Sequence, residues 1–168
     1  MATRTARCAC GRVEVTMEGE PGLIQVCHCE FCQRRSGSVV KVTAQFDADQ
    51  VVAVTGETSR YNGLEVDGVG AVGVPGGIDY HFCPTCGSPI YFENVMPHTG
   101  RRAVSIAVGT LFDPEFPAPS AEFFTRFRHH WVPPVPGAVQ YVDPLDGSVE
   151  ADTMLSDGDP ETSGETGG

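Results

Sequence analysis

Seven cysteines in three clusters constrain this chain of 168 residues more than any other feature. The first cluster is Cys8-Ala9-Cys10-Gly11, the second Cys27-His28-Cys29-Glu30-Phe31-Cys32, and the third Cys83-Pro84-Thr85-Cys86-Gly87. An extended C-x-C puts both side chains on one face, because strand side chains alternate with period two. A C-x-x-C followed by glycine forms a knuckle. Its turn aims two sulfurs at one point, and the glycine supplies a positive φ just past it. An odd number of thiols leaves a disulfide framework incomplete, and clustered thiols in a reducing compartment serve more often as metal ligands. The clusters point to zinc.

Seven sulfurs divide naturally as four plus three. Cys27, Cys29 and Cys32 can supply three ligands by themselves, leaving Cys8, Cys10, Cys83 and Cys86 to close a tetrahedron. Spacing alone also permits Cys8 and Cys10 to join the middle cluster. A closed four-thiolate site is usually structural. A zinc on three thiolates is a poor Lewis acid for water but suits a soft fourth ligand, above all another thiolate. Such a site points to thiol chemistry before hydrolysis. The competing reading is a second structural site closed by His28, His81, His98, His129 or His130, or no second metal at all. His28 lies between two ligands and should face away from them. His81, two residues before Cys83, should project to the same side as that cysteine.

Charge excludes one class of partner. The net charge of −11 belongs mostly to residues 143–168, which carry eight of the 22 acidic residues and no Lys or Arg. Lys41 is the sole lysine, and the arginines form pairs rather than a stripe, so no nucleic-acid footprint exists. No apolar run approaches the length of a membrane span, and Met1 to Arg7 lack the apolar core of a secretory signal. A cytoplasmic protein is the expectation.

The apolar runs are short and alternating or β-branched. Arg12 to Met17 places Val13, Val15 and Met17 on one face. Val39 to Phe46, Val51 to Thr55, Ile78 to Phe82, Pro89 to Phe92 and Ala103 to Val108 are further strand candidates. Glycines and prolines punctuate them throughout. One or two helical turns fit Cys29 to Arg35, and Leu64 to Gly77 reads as a loop or irregular hairpin. The predicted class is mainly β. Residues 1–6 read as a lead, 7–142 as one domain, and 143–168 as an acidic disordered tail that cannot bury enough surface to offset its ordering entropy.

The three clusters with their flanks resemble the family of glutathione-dependent formaldehyde-activating enzymes, the CENP-V-like domains. The matching stretches are Cys8 to Gly11, Cys27 to Gly37 (including Gln33-Arg34-Arg35-Ser36), and Phe82 to Ser88. A weaker match runs through Val108-Gly109-Thr110-Leu111-Phe112-Asp113 to His130-Trp131. The resemblance implies an Mss4-like fold of stacked antiparallel sheets with two zincs. Cys8, Cys10, Cys83 and Cys86 would hold the structural one, and Cys27, Cys29 and Cys32 the reactive one. It implies a carbon–sulfur lyase-type reaction joining formaldehyde to glutathione, with zinc holding the thiol as thiolate. The expected partners are a small-molecule thiol and an aldehyde. A non-catalytic zinc-stabilised interaction module and a thiol-redox protein are the alternatives. Arg34 and Arg35 would either steer an anionic thiol or sit solvated on the surface. His129, His130 and Trp131 would either line the pocket or belong to an edge strand with Trp131 in the core. Phe31 reads as a core anchor.

Overall fold

The computed structural model describes residues 2–63, 76–96 and 99–144, and the backbone of 148 and 149. Within these, no helix is long and apolar enough to cross a membrane. The strands are β1 (Thr3–Arg7), β2 (Glu14–Glu18), β3 (Leu23–Cys27), β4 (Lys41–Asp47), β5 (Val51–Thr55), β6 (Ser59–Asn62), β7 (Asp79–Phe82), β8 (Pro89–Val95), β9 (Arg102–Ala107), β10 (Ala121–Phe123), β11 (Val139–Asp143) and β12 (Ser148–Val149). One helix, α1 (Glu30–Ser36), follows β3. The chain is mainly β, as its alternating runs predict.

The strands form two sheets. The smaller has the order β1-β2-β5, and the larger β12-β11-β10-β3-β4-β9-β8-β7-β6. Val13, Val15 and Met17 are fully buried, in agreement with the alternation read from the sequence. With Ala6 they pack against Ile24, Ala44, Phe46, Ile90, Val104 and Ile106 of the larger sheet, in one apolar core. Each fully buried aliphatic or aromatic side chain contributes about 1.5–3 kcal/mol. β5 is an outer strand, and its Val52 and Val54 are exposed.

Three features differ from the sequence reading. Thr3 to Ala6, read as a lead, belong to β1 and pair with β2 from Thr3 opposite Glu18 to Arg7 opposite Glu14. The larger sheet is not wholly antiparallel, since β10 runs parallel to both β3 and β11. Asp143, the first residue assigned to the tail, ends β11, which pairs onward with Ser148–Val149 of β12. Residues 150–168 and most of the stretch Leu64 to Gly77 lie outside the described residues, as does His98.

The parallel strand brings a carboxylate into the interior. Glu122 of β10 is 1% exposed, and its Oε2 lies 2.6 Å from Nε2 of His28, equally buried. Its Oε1 accepts from the backbone N–H of Val135 and from the Gln140 amide, and Arg128 stands 3.6 Å away. Gln33 of α1 donates to the carbonyls of His28 (2.7 Å) and Phe127 (3.2 Å). Burial pushes the Glu122 carboxyl up, but the hydrogen bonds from Val135, His28 and Gln140 and the Arg128 charge outweigh it, and the net shift is downward.

Gly56 shows how closely the smaller sheet meets the first cysteine loop. Its φ is +83°, and a Cβ there would lie 1.9 Å from the Arg12 carbonyl oxygen. Gly137 has a similar φ of +77° but open space around it. In urea unfolding, Gly137→Ala should lose about 1–2 kcal/mol from left-handed strain alone, and Gly56→Ala at least about 3 kcal/mol, strain and overpacking together.

The depressed Glu122 carboxyl contributes stability above the ordinary carboxylate range, lost as pH falls through its folded value. Glu122→Gln should therefore lose about 1–3 kcal/mol at pH 7. The gap to the unmodified protein should narrow progressively as pH falls below about 4 and close once the folded carboxyl is itself protonated. Unfolding curves at the two pH values check this.

Candidate metal centres

The first sulfur group is assembled by two hairpin turns. Cys8 and Cys10 lie in the turn between β1 and β2, where the Cys8 N–H donates to the Val13 carbonyl (3.0 Å). Cys83 and Cys86 lie between β7 and β8, where the Cys83 N–H donates to the Ser88 carbonyl (2.9 Å). Gly11 and Gly87 adopt positive φ (75° and 71°) just after each pair, as the knuckle pattern requires. The two turns dock on each other. The Ala9 N–H donates to Ser88 Oγ (3.1 Å), and Cys10 Sγ lies 3.7 Å from Cys83 Sγ. Cys8 and Cys83 are buried in the core, while Cys10 and Cys86 face outward.

The second group forms where β3 becomes α1. Cys27 ends β3, and Cys29 is the helix N-cap, its Sγ accepting the Cys32 N–H at 3.3 Å. A side-chain acceptor at this position satisfies one of the helix's unpaired amides. Cys27 Sγ lies 3.5 Å from Cys29 Sγ. All three residues are half-buried.

Both groups fit a metal. The sulfurs of each lie within 4.8 Å of one another. All seven cysteines are free, and separations of 3.5 and 3.7 Å are far beyond a disulfide bond of about 2 Å. They match the separation of about 3.8 Å between sulfurs arranged tetrahedrally around zinc. Each group also holds a thiol biased toward thiolate. Ser88 holds Cys86 down to about 5 through its hydroxyl and backbone. The Cys27 thiol, followed by that of Cys32, holds Cys29 down to about 3, with the Cys32 N–H and the Lys41 charge adding to the effect. Burdened by the same contact, the Cys27 thiol is pushed up. Metal binding requires deprotonated sulfur, so a first thiolate in each group is an advantage.

Among the described residues, no fourth Cys, His or carboxylate joins Cys27, Cys29 and Cys32. His28 points the other way, into the contact with Glu122. His81 does not reach the first group; its ring stacks on Tyr91 at 4.2 Å and its Nδ1 meets Thr58 Oγ1. His129 Nε2 meets Gln33 Oε1 at 3.0 Å, and His130 is exposed.

The surroundings of the trio correct several sequence readings. Trp131 belongs to no strand and no core: it is 59% exposed, its ring 5.6 Å from that of His129. Two prolines just after it, Pro133 and Pro134, keep this stretch from joining a sheet. Arg34 and Arg35 part company. Arg34 is exposed and pairs with Glu30, one turn earlier. Arg35 lies over the Tyr80 ring, 3.7 Å from its centroid, in an aromatic group that also contains Phe31, Tyr61 and Phe92. Phe31 is half-buried there, a packing residue at the rim rather than in the main core.

Lys41 is the residue that sequence reasoning passed over. It sits opposite Cys27 on the β3–β4 ladder, and its Nζ lies 3.5 Å from the centroid of Phe92. Burial pushes its amine down to about 7, while the thiols of Cys32, Cys27 and Cys29 pull it upward. The signal was present in the sequence as the sole lysine of the chain, set among Val39, Val40 and Val42. A cavity of about 130 Å³ opens beside it, lined by Arg35, Lys41, Val40, Val42, Ile90 and Phe92, among others.

The family described as glutathione-dependent formaldehyde-activating enzyme matches residues 3–127, which contain all seven cysteines. A crystal structure of a Rhodobacter sphaeroides protein is similar at 22% identity and a TM-score of 0.46, covering 68% of this chain and 91% of that one. No curated protein matches the chain. With three-quarters of its length inside the family's boundaries, the chain belongs to the glutathione-dependent formaldehyde-activating enzyme family.

Proposed function

We propose that the protein is a zinc-dependent carbon–sulfur lyase-type enzyme that joins a small aldehyde to a thiol such as glutathione. Cys8, Cys10, Cys83 and Cys86 hold a structural zinc, and Cys27, Cys29 and Cys32 hold a reactive one. The observation that carries this reading is the contrast between the two sulfur groups. One has four sulfurs and welds two turns together. The other has three, and opposite it on the next strand stands a cation, Lys41, that itself lines a cavity.

A zinc on three thiolates supplies a place where an incoming thiol is held as thiolate, its nucleophilic form. The chain does the rest. Glu122 and Gln33 fix the turn that carries the ligands from behind. Lys41 places positive charge beside a cluster that would otherwise concentrate negative charge. The apolar walls of the cavity keep water from competing with the thiol for the aldehyde. In the net reaction a carbon–sulfur bond forms, the carbonyl π bond opens, and the thiol's proton ends on the oxygen. No oxidant is needed. Because this addition proceeds readily without help, proximity is the main contribution asked of the protein.

Metal analysis of the purified chain should give two zincs, with Cys29→Ser retaining one and remaining folded. In the cobalt-substituted protein, millimolar glutathione should change the visible spectrum of the unmodified chain and leave that of Cys29→Ser unchanged. Thiol addition to formaldehyde should fall to the uncatalysed rate in Cys29→Ser. A spectrum insensitive to glutathione in the unmodified protein would leave an inert zinc module in place of an enzyme.

A further inference from the structure

The cavity opens beside Lys41, which stands opposite Cys27 on the β3–β4 ladder. Its walls are apolar (Val40, Val42, Ile90), yet Arg35 and Lys41 both enter its lining. The two cations share one aromatic surface. Arg35 lies 3.7 Å from the Tyr80 centroid and 5.9 Å from that of Phe92, and Lys41 lies 3.5 Å from Phe92 and 5.5 Å from Tyr80. Eight other arginines of the chain contact carboxylates. Among the described residues, Arg35 and Lys41 have no such partner, and Arg35 Nε is buried without a hydrogen bond.

Two like charges held together in an apolar recess without a carboxylate partner are costly. The arrangement is stable against that cost only to the extent that aromatic faces and nearby thiolates offset it. An anion placed between them would satisfy both. Size narrows the choice, since a cavity of about 150 Å³ holds benzene, so one of 130 Å³ admits an occupant of roughly five or six heavy atoms. A tripeptide thiol is several times too large to enter whole. An aldehyde whose adjacent carbon is a carboxylate fits, its carboxylate between the two cations.

We infer that this cavity is the aldehyde's own subsite, and that Arg35 and Lys41 make it selective for a small carboxylate-bearing aldehyde of the α-oxo acid class over neutral aldehydes. The inference rests on the proposed function and names the carbonyl partner of that site. The balanced step is the same addition. The thiol sulfur bonds to the aldehyde carbon, the π bond opens, and the oxygen gains the thiol's proton. The carboxylate is not altered and serves as a handle.

The test uses the full-length zinc-loaded protein with glyoxylate and acetaldehyde as the charged and neutral probes, and 2-mercaptoethanol as a thiol without a carboxylate. The expected kcat/KM favours glyoxylate at least about 10-fold, and that ratio falls about 10- to 100-fold in Lys41→Met and Arg35→Met, as loss of a charge-assisted contact predicts. Lys41→Met retains the side-chain stem and the strand pairing, and so remains informative if Arg35→Met does not fold. A ratio near one in the unmodified protein, or one that survives both substitutions, overturns the inference. So does a defect in the variants seen with glutathione and acetaldehyde but absent with 2-mercaptoethanol, which would assign the cations to the thiol's carboxylate. If no aldehyde reacts, the proposed function fails, and calorimetry with propionate decides the subsite separately. Binding to the unmodified chain, weakened at least about 10-fold in the variants, upholds an anion subsite, and absence of binding removes it.

Discussion

The contact on which the rest of this structure depends is the meeting of two turns through sulfur. Cys10 and Cys83 are 73 residues apart in sequence and 3.7 Å apart in space. One belongs to the small sheet and the other to the large one, so the four-sulfur group clamps the sheets at one end. The apolar core they share starts at that clamp, since Cys8 and Cys83 are themselves members of it. A glycine-rich chain with short strands has little local bias toward one arrangement. Four sulfurs converging on one point remove that freedom for both turns at once.

The second sulfur group is built on a different principle. Its three sulfurs come from one stretch of chain, so no long-range clamp is needed to assemble them. What it needs is a rigid backing. That backing is polar and buried: His28 against Glu122, with Gln140, Val135 and Arg128 satisfying the remaining capacity of the carboxylate. Front and back of the short segment thus have opposite chemistry. The sulfurs gather on one side, and a hydrogen-bonded carboxylate lies on the other. The alternation of Cys27, His28 and Cys29 makes this division possible.

Much of the framework was readable from residue patterns. Val13, Val15 and Met17 announced a strand with one buried face, and that is where they lie. The run Val51 to Thr55 coincides with β5, and the helical turn expected near Cys29 is α1. Other elements were hidden for physical reasons. β3 has a glutamine at its centre, and β10 is three residues long with a glutamate in the middle. Both residues are there for partners supplied by other strands, and such pairing leaves no periodic signal. Trp131 illustrates the reverse error. A large aromatic residue suggests a core, but burial is decided by whether the backbone can reach one.

The sequence by itself determined the three cysteine clusters and the turns that carry them, because knuckle geometry acts over a few residues and is written in the spacing of Cys and Gly. It also determined the strand-rich class, through alternation that is equally local. Only the tertiary structure decided which dithiols meet, that β10 enters the sheet in parallel, and that Arg35 and Lys41 share two aromatic rings beside the trio. Those facts depend on the register and layering of strands far apart in the chain. Short-range preferences leave such choices open, and they are settled only when the two sheets close on a common core.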